Sequence, residues 1–162
     1  MFKSAKVLIA VVILFFALAV LGFAYYYLEA KNLAMGKAIV RIGDRVFQVD
    51  VAKTAALRAR GLSSRDGLGE NEGLFFIFDK PGNYGFWMID MKFPIDIIWI
   101  NGGRVVGFAE NAAPEPGKRF WGLKIYYPPE PVQNVLELGA GAVAKFRIKI
   151  GDLVSLSGLG EN

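Results

Sequence analysis

The sequence predicts a mainly β domain, barrel- or sandwich-like with one short helix, preceded by an N-terminal transmembrane helix. Three observations lead there. Val7 to Leu28 is an unbroken uncharged run, VLIAVVILFFALAVLGFAYYYL. Beyond it, short alternating apolar runs are separated by turns rich in Gly, Pro and Asn. Only Thr54 to Arg60 carries helix signals at both ends.

The apolar run is long enough to cross a hydrocarbon core of about 30 Å at about 1.5 Å per residue. Lys3 and Lys6 precede it, which favours an N-terminus inside and the remainder outside. Tyr25, Tyr26 and Tyr27 close it, where amphipathic rings prefer the headgroup layer. Two readings stand. Length favours an uncleaved signal anchor. A cleaved signal peptide has the same basic start, and Gly22 and Ala24 would supply small residues for a cut before Tyr25. Both readings export the domain: to the outer face of the cell membrane as a single-pass protein, or secreted or periplasmic after cleavage. The expected organisation is a cytoplasmic N-terminus (1–6), an anchor in membrane lipid (7–28), a stem (29–37), a β-rich domain (38–156) and a flexible tail (157–162).

Within the domain, Ala38–Ile42 and Arg45–Val51 flank Gly43-Asp44 and form a tight hairpin, with Phe47, Val49 and Val51 on one face. Thr54 serves as N-cap of the helix and Gly61 closes it. Leu74–Phe78 and Tyr84–Ile89 are expected to pair around Pro81-Gly82-Asn83. Ile95–Ile100 and Arg104–Ala109 flank Asn101-Gly102-Gly103, with the Asn-Gly pair as the turn. Residues 111–131 hold five of the seven prolines and form an irregular connection. Val135–Leu138 and Ala144–Ile150 are the last strands, the latter from the alternation of Phe146, Ile148 and Ile150 with Lys145, Arg147 and Lys149.

Composition narrows the chemistry. The chain has no cysteine and no histidine, so it lacks disulfides, thiolate nucleophiles and the commonest general base and transition-metal ligand. No metal and no cofactor is predicted. The net charge is +4, of which Lys3 and Lys6 supply two. The domain is left near +2 with both signs mixed, a solvated surface rather than a nucleic-acid footprint.

The middle of the domain is dense in aromatic and acidic residues. In order stand Arg60-Gly61-Leu62, Arg65 and Leu68, Gly73-Leu74-Phe75-Phe76, Phe86-Trp87-Met88, Pro94-Ile95-Asp96, Val135-Leu136-Glu137, Gly141 and Gly151-Asp152. In these motifs and their spacing, from about Ala38 to Leu156, the chain resembles the domain of unknown function 192 family. The resemblance implies a small β-rich domain, often exported behind a signal or anchor, with no settled activity. The chain departs from the pattern at two places. Ser63 stands where Met is usual, and Ile89-Asp90-Met91 where a Lys-Asn-Thr-like polar triplet is usual.

Five residues are candidates for binding: Arg65, Trp87, Met88, Asp96 and Glu137. Asp96 stands in an apolar strand and is read first as a hydrogen-bond anchor for a turn or for Arg65, because buried charges are paired. Glu137 shares the ambiguity. Trp87 and Met88 are either core or pocket lining. Trp121, Tyr126 and Tyr127 are hard to bury as a set and point to a ligand, a partner or a membrane surface. The favoured reading is a non-catalytic, membrane-tethered ligand-binding or accessory module, with an envelope ligand or protein as partner and no nucleic acid. The alternative is a carboxylate-dependent hydrolase acting on envelope material such as glycans, with Asp96, Glu110 and Glu137 as the acids and Arg65 as anion holder.

Overall fold

The computed structural model describes residues 11–24 and 35–159. The chain divides into two compact units, Met1–Ala34 and Met35–Asn162. In the first, residues 11–24 form a helix, α1, with exposed side chains throughout. The described part of α1 spans about 20 Å at about 1.5 Å per residue. Among the described residues no helix is long and apolar enough to cross a membrane. The rest of the expected span, 7–10 and 25–28, lies outside the described residues, as do positions 1–6, stem residues 29–34 and tail residues 160–162.

The second unit is built on one seven-stranded sheet. In chain order it runs β1 (Gly36–Ile42), β2 (Arg45–Ala52), α2 (Ala55–Arg60), β3 (Glu72–Gly82), β4 (Ile95–Asn101), β5 (Arg104–Ala112), β6 (Val132–Gly139), α3 (Ala142–Phe146) and β7 (Val154–Ser157), with a 3-10 turn at Phe120–Gly122. The strands lie in the order β5-β4-β6-β3-β2-β1-β7. All neighbours are antiparallel except β2 and β3, where Val49 faces Gly73 in a parallel pair. A parallel pair requires a crossover, and α2 lies in it. The two edges approach at one corner. Arg104 bridges Leu153, the Val105 N–H donates to the Asp152 carbonyl at 3.0 Å, and the Gly151 N–H donates to the Val105 carbonyl at 2.8 Å. The sheet is thus a half-barrel, not two stacked sheets.

Both faces of the central strands are buried. One face carries Val40, Phe47, Val49, Phe75, Ile98, Leu136 and Leu138 and is covered by Ala142 and Val143 of α3. The other carries Leu74, Phe76, Ile95, Ile97, Trp99 and Val135 and is covered by Leu57 and Leu62 around α2 and by Phe86 and Met88. Strands buried on both faces read as continuous apolar runs, as in the fully buried Ile95–Ile100. Gly73 brings β3 and β6 together without a side chain, since a Cβ there would lie 2.7 Å from the Glu137 carbonyl oxygen.

The first hairpin and the caps of α2 follow the expectations. The Thr54 side chain accepts from the Leu57 N–H, and Gly61 has φ of 52°. Four elements differ. β3 runs on to Gly82 and pairs with β2 and β6, so Tyr84–Ile89 is no strand. That segment is a loop whose alternate residues Phe86 and Met88 plug the second core, tied down by one bridge from Phe86 to Tyr126. The turn after β4 is Gly102-Gly103 (φ 55° and 71°), with Asn101 paired to Arg104 in the ladder. Ala144–Ile150 is not a strand either: α3 ends at Phe146, Arg147 takes φ of 56°, Ile148 is buried and Ile150 is exposed. The alternation there comes from a helical turn followed by a loop, and the domain holds two short α-helices rather than one. The last strand, β7, lies beyond Gly151-Asp152, where the Asp152 carboxylate accepts from the Lys149 N–H at 2.8 Å.

The start of α3 is fixed from across the sheet. Asp96 of β4 is fully buried, and its Oδ2 accepts from the Val143 N–H at 2.8 Å. Its Oδ1 accepts from the N–H of Asn111 at 2.8 Å. Asn111 has φ of 52°, which asparagine tolerates better than most residues. Asp96→Asn replaces one of these acceptor oxygens by a donor and leaves one buried amide unmet. The expected loss is about 1–3 kcal/mol, a fall of roughly 4–12 °C in melting temperature. A melting temperature equal to that of the parent would show that neither bond holds the fold.

Candidate functional site

The largest cleft described, about 680 Å³, lies on the face covered by α2 and the 83–91 loop. Its floor is Glu137. Leu136 and Leu138 point to the opposite core, so alternation along β6 turns Glu137 toward this one. Its cross-strand partners are Leu74 on β3 and Ile97 on β4, both buried. Glu137 is only 6% exposed. Its Oε2 has no hydrogen-bond partner within the protein. Burial among hydrocarbon disfavours the charged form and pushes its pKa up to about 8. At neutral pH the floor of the cleft is therefore mainly a neutral carboxylic acid, which both donates and accepts one hydrogen bond.

The walls are largely apolar and held in place by stacking. The Arg58 guanidinium donates to the carbonyls of Lys53 (2.8 Å) and Ile77 (2.9 Å) and lies 5.0 Å from the centre of the Phe78 ring. Phe78 stacks on Tyr84 with ring centres 3.6 Å apart, and the Tyr84 hydroxyl donates to the Lys80 carbonyl at 2.7 Å. Phe86 meets Phe76 edge to face at 5.0 Å. Trp87 and Met91 complete the lining, while Asp79, Lys80 and Asp90 stand at an exposed, charged mouth. A partly apolar cavity of this size with one buried polar group at its base has the character of a small-molecule site.

The five candidate residues separate. Glu137 and Trp87 belong to the cleft. Met88 does not: it is buried in the adjoining core. Asp96 faces the other core, since its cross-strand partner is Leu138 rather than Glu137. Asp96 and Glu137 are thus on opposite faces of the sheet, and Asp96 is anchored by backbone amides, not by Arg65. Arg65 is paired with Asp50 of β2, which also has Lys37 at 3.6 Å, beside a smaller depression of about 300 Å³. Glu110 is exposed on β5. Among the described residues no group of three or more acids is placed to hold a metal ion. Sequence reasoning missed Arg58, Tyr84 and Met91. Only the parallel crossover and the loop path bring them around Glu137, and no local pattern announces either.

Similarity to known proteins agrees with the geometry. No curated protein matches the sequence. Among the crystal structures that resemble the chain are two proteins of known source. One is a Sinorhizobium meliloti 1021 protein provisionally described as a transcription regulator, with 27% identity, a TM-score of 0.68, and coverage of 75% of this chain and 95% of that one. The other is a protein of unknown function from Novosphingobium aromaticivorans DSM 12444, with 33% identity, a TM-score of 0.65, and coverage of 74% and 83%. The β unit matches nearly the whole of the first of these chains. Residues 38–156 match the family model of DUF192, described as an uncharacterized ACR. The chain belongs to the domain of unknown function 192 family.

Proposed function

We propose that the chain is a membrane-tethered binding module working outside the cytoplasm. Its cleft takes a small, mainly apolar ligand bearing one group that both donates and accepts hydrogen bonds. The observation that carries this reading is Glu137, buried at the base of a largely apolar cleft with its Oε2 unbonded and its pKa raised by burial. An unsatisfied buried polar group costs about 1–3 kcal/mol, and a ligand that satisfies it recovers that free energy. Primary amides, carboxylic acids and alcohols have the matching chemistry. Ser63, Ile89, Asp90 and Met91, the positions where this chain departs from the family pattern, all line the cleft, consistent with a ligand particular to it. A hydrolase would need a second carboxylate beside Glu137. Asp79 and Asp90 are exposed at the mouth, and Asp96 is on the opposite face, which favours binding over hydrolysis.

The tether rests on the uncharged run 7–28 with Lys3 and Lys6 before it. With alkaline phosphatase fused to the C-terminus of the full chain, the enzyme should be active in intact cells and sediment with carbonate-washed membranes. Inactive phosphatase on a protein in the soluble cytosol would overturn the location. For the cleft, calorimetry with decanamide as probe should show binding to the parent protein. It should be retained by Glu137→Gln and weakened at least about tenfold, ~1.4 kcal/mol, by Glu137→Leu. Equal affinity in the Leu variant would remove Glu137 from recognition.

Glu137 also makes stability depend on pH. Its folded pKa of about 8 is above the ordinary 4.5, so its stabilising effect is full below about pH 4.5, where folded and unfolded chains are both protonated. Between 4.5 and about 8 the unfolded chain releases the proton and the folded one keeps it, so stability falls as pH rises through this window. The loss is on the order of a few kcal/mol. Urea midpoints should decline across this range in the parent more steeply than in Glu137→Gln. Parallel profiles would show that the carboxyl is not held neutral.

A further inference from the structure

A second surface of the domain borders the cleft and shares Trp87 with its lining. Two loops meet at the Phe86–Tyr126 bridge, where the Phe86 N–H donates to the Tyr126 carbonyl at 2.9 Å and the Tyr126 N–H to the Phe86 carbonyl at 2.8 Å. The contact is close. A Cβ on Gly85 would lie 2.7 Å from Ile125 and 3.0 Å from the Tyr127 ring. On this joined rim stand Tyr127 (57% exposed), Ile125 and Trp87, and the same loop continues back to Trp121, at 79% exposure. Large apolar side chains held out on an ordered surface mark an interaction site.

The charges beside them indicate what that site meets. Lys118, Arg119 and Lys124 fall in the same loop, against two carboxylates, Glu115 and the more distant Glu130 near its end. Glu115 is engaged by Lys118 and by the Lys124 N–H at 2.9 Å. The Arg119 guanidinium lies 5.4 Å from the Trp121 ring centre, and the Lys124 ammonium 4.4 Å from that of Tyr126. Trp and Tyr rings among Lys and Arg are the chemistry of the lipid headgroup layer: the rings enter it and the cations meet anionic phosphates. Protein–protein interfaces also use Trp, Tyr and Arg, but they are depleted in Lys, and two of the three cations here are lysines. We infer that the 118–127 loop, with Trp87 beside it, docks the folded domain on an anionic lipid bilayer. This contact does not use the N-terminal run, and it meets the cleft only at the 85–87 segment.

The test uses residues 35–162, the second compact unit, checked first for a cooperative melting transition and then sedimented with vesicles of about equal parts phosphatidylglycerol and phosphatidylcholine, and with phosphatidylcholine alone, at about 0.1 M salt. The domain should sediment with the mixed vesicles and bind at least about fivefold less to phosphatidylcholine. Trp121→Ser with Tyr127→Ser should weaken binding to the mixed vesicles at least about fivefold, as should Lys118→Gln, Arg119→Gln and Lys124→Gln together. Both variants change exposed positions, and an unchanged melting temperature confirms that they fold. A domain that stays in the supernatant at every lipid concentration overturns the inference, as does binding that neither variant weakens. Self-association in sedimentation analysis that the Trp121/Tyr127 variant abolishes, with no vesicle binding, would assign the surface to a second copy of the chain and overturn it too.

Discussion

The constraint on which the rest depends is that β3, β6 and β4 bury both of their faces. Along 73–76, 95–100 and 135–138 no side chain turns to water, so each polar group placed there must be satisfied from within or remain in need of a partner. The two carboxyls of the central strands show both outcomes. Asp96 takes two backbone amides and fixes the start of α3 and the turn at Asn111. Glu137, one strand across and on the other face, has hydrocarbon neighbours and an oxygen with no bond. The same surroundings that would make Glu137 a defect in a closed core give it, in the binding module proposed above, the place of a recognition group at the base of a cleft.

That cleft exists because its cover is made of dissimilar pieces. A helix of two turns and an irregular loop cannot seal a sheet face as a long helix would. Their separation is maintained by the stack of Arg58, Phe78 and Tyr84, in which a cation, a strand residue and a loop residue hold one another. The wall is thus set before any ligand arrives, which lowers the ordering cost of binding. Asp90, in the same loop, has φ of 55°, a conformation in which aspartate and asparagine are the least strained of the non-glycine residues.

What could be read in the sequence was local. The Gly43-Asp44 hairpin, the Thr54 and Gly61 caps and the β4–β5 hairpin each lie within a few residues of their own signals. Phe146, Ile148 and Ile150 misled because three apolar residues at a spacing of two fit a strand as well as they fit the end of a helix and its exit loop. Tyr84–Ile89 misled for a related reason, since alternate residues that plug a core from a loop resemble one face of a strand. Glu137 was legible as a candidate, but its isolation was not, because that depends on the register of β6 against β3 and β4. Arg65 found Asp50 rather than Asp96 because the crossover through α2 carries it back to β2.

The place of β1 in the sheet has a further meaning. It lies between β2 and β7, pairing Val40 with both Phe47 and Leu156, so the first strand of the domain stays half-paired until the last has been made. A chain emerging from a ribosome or a translocation channel can form the β1–β2 ribbon early. It cannot finish the half-barrel until some hundred further residues have emerged. Closure therefore couples the two ends of the domain, and the sheet is complete only when its first and last strands meet.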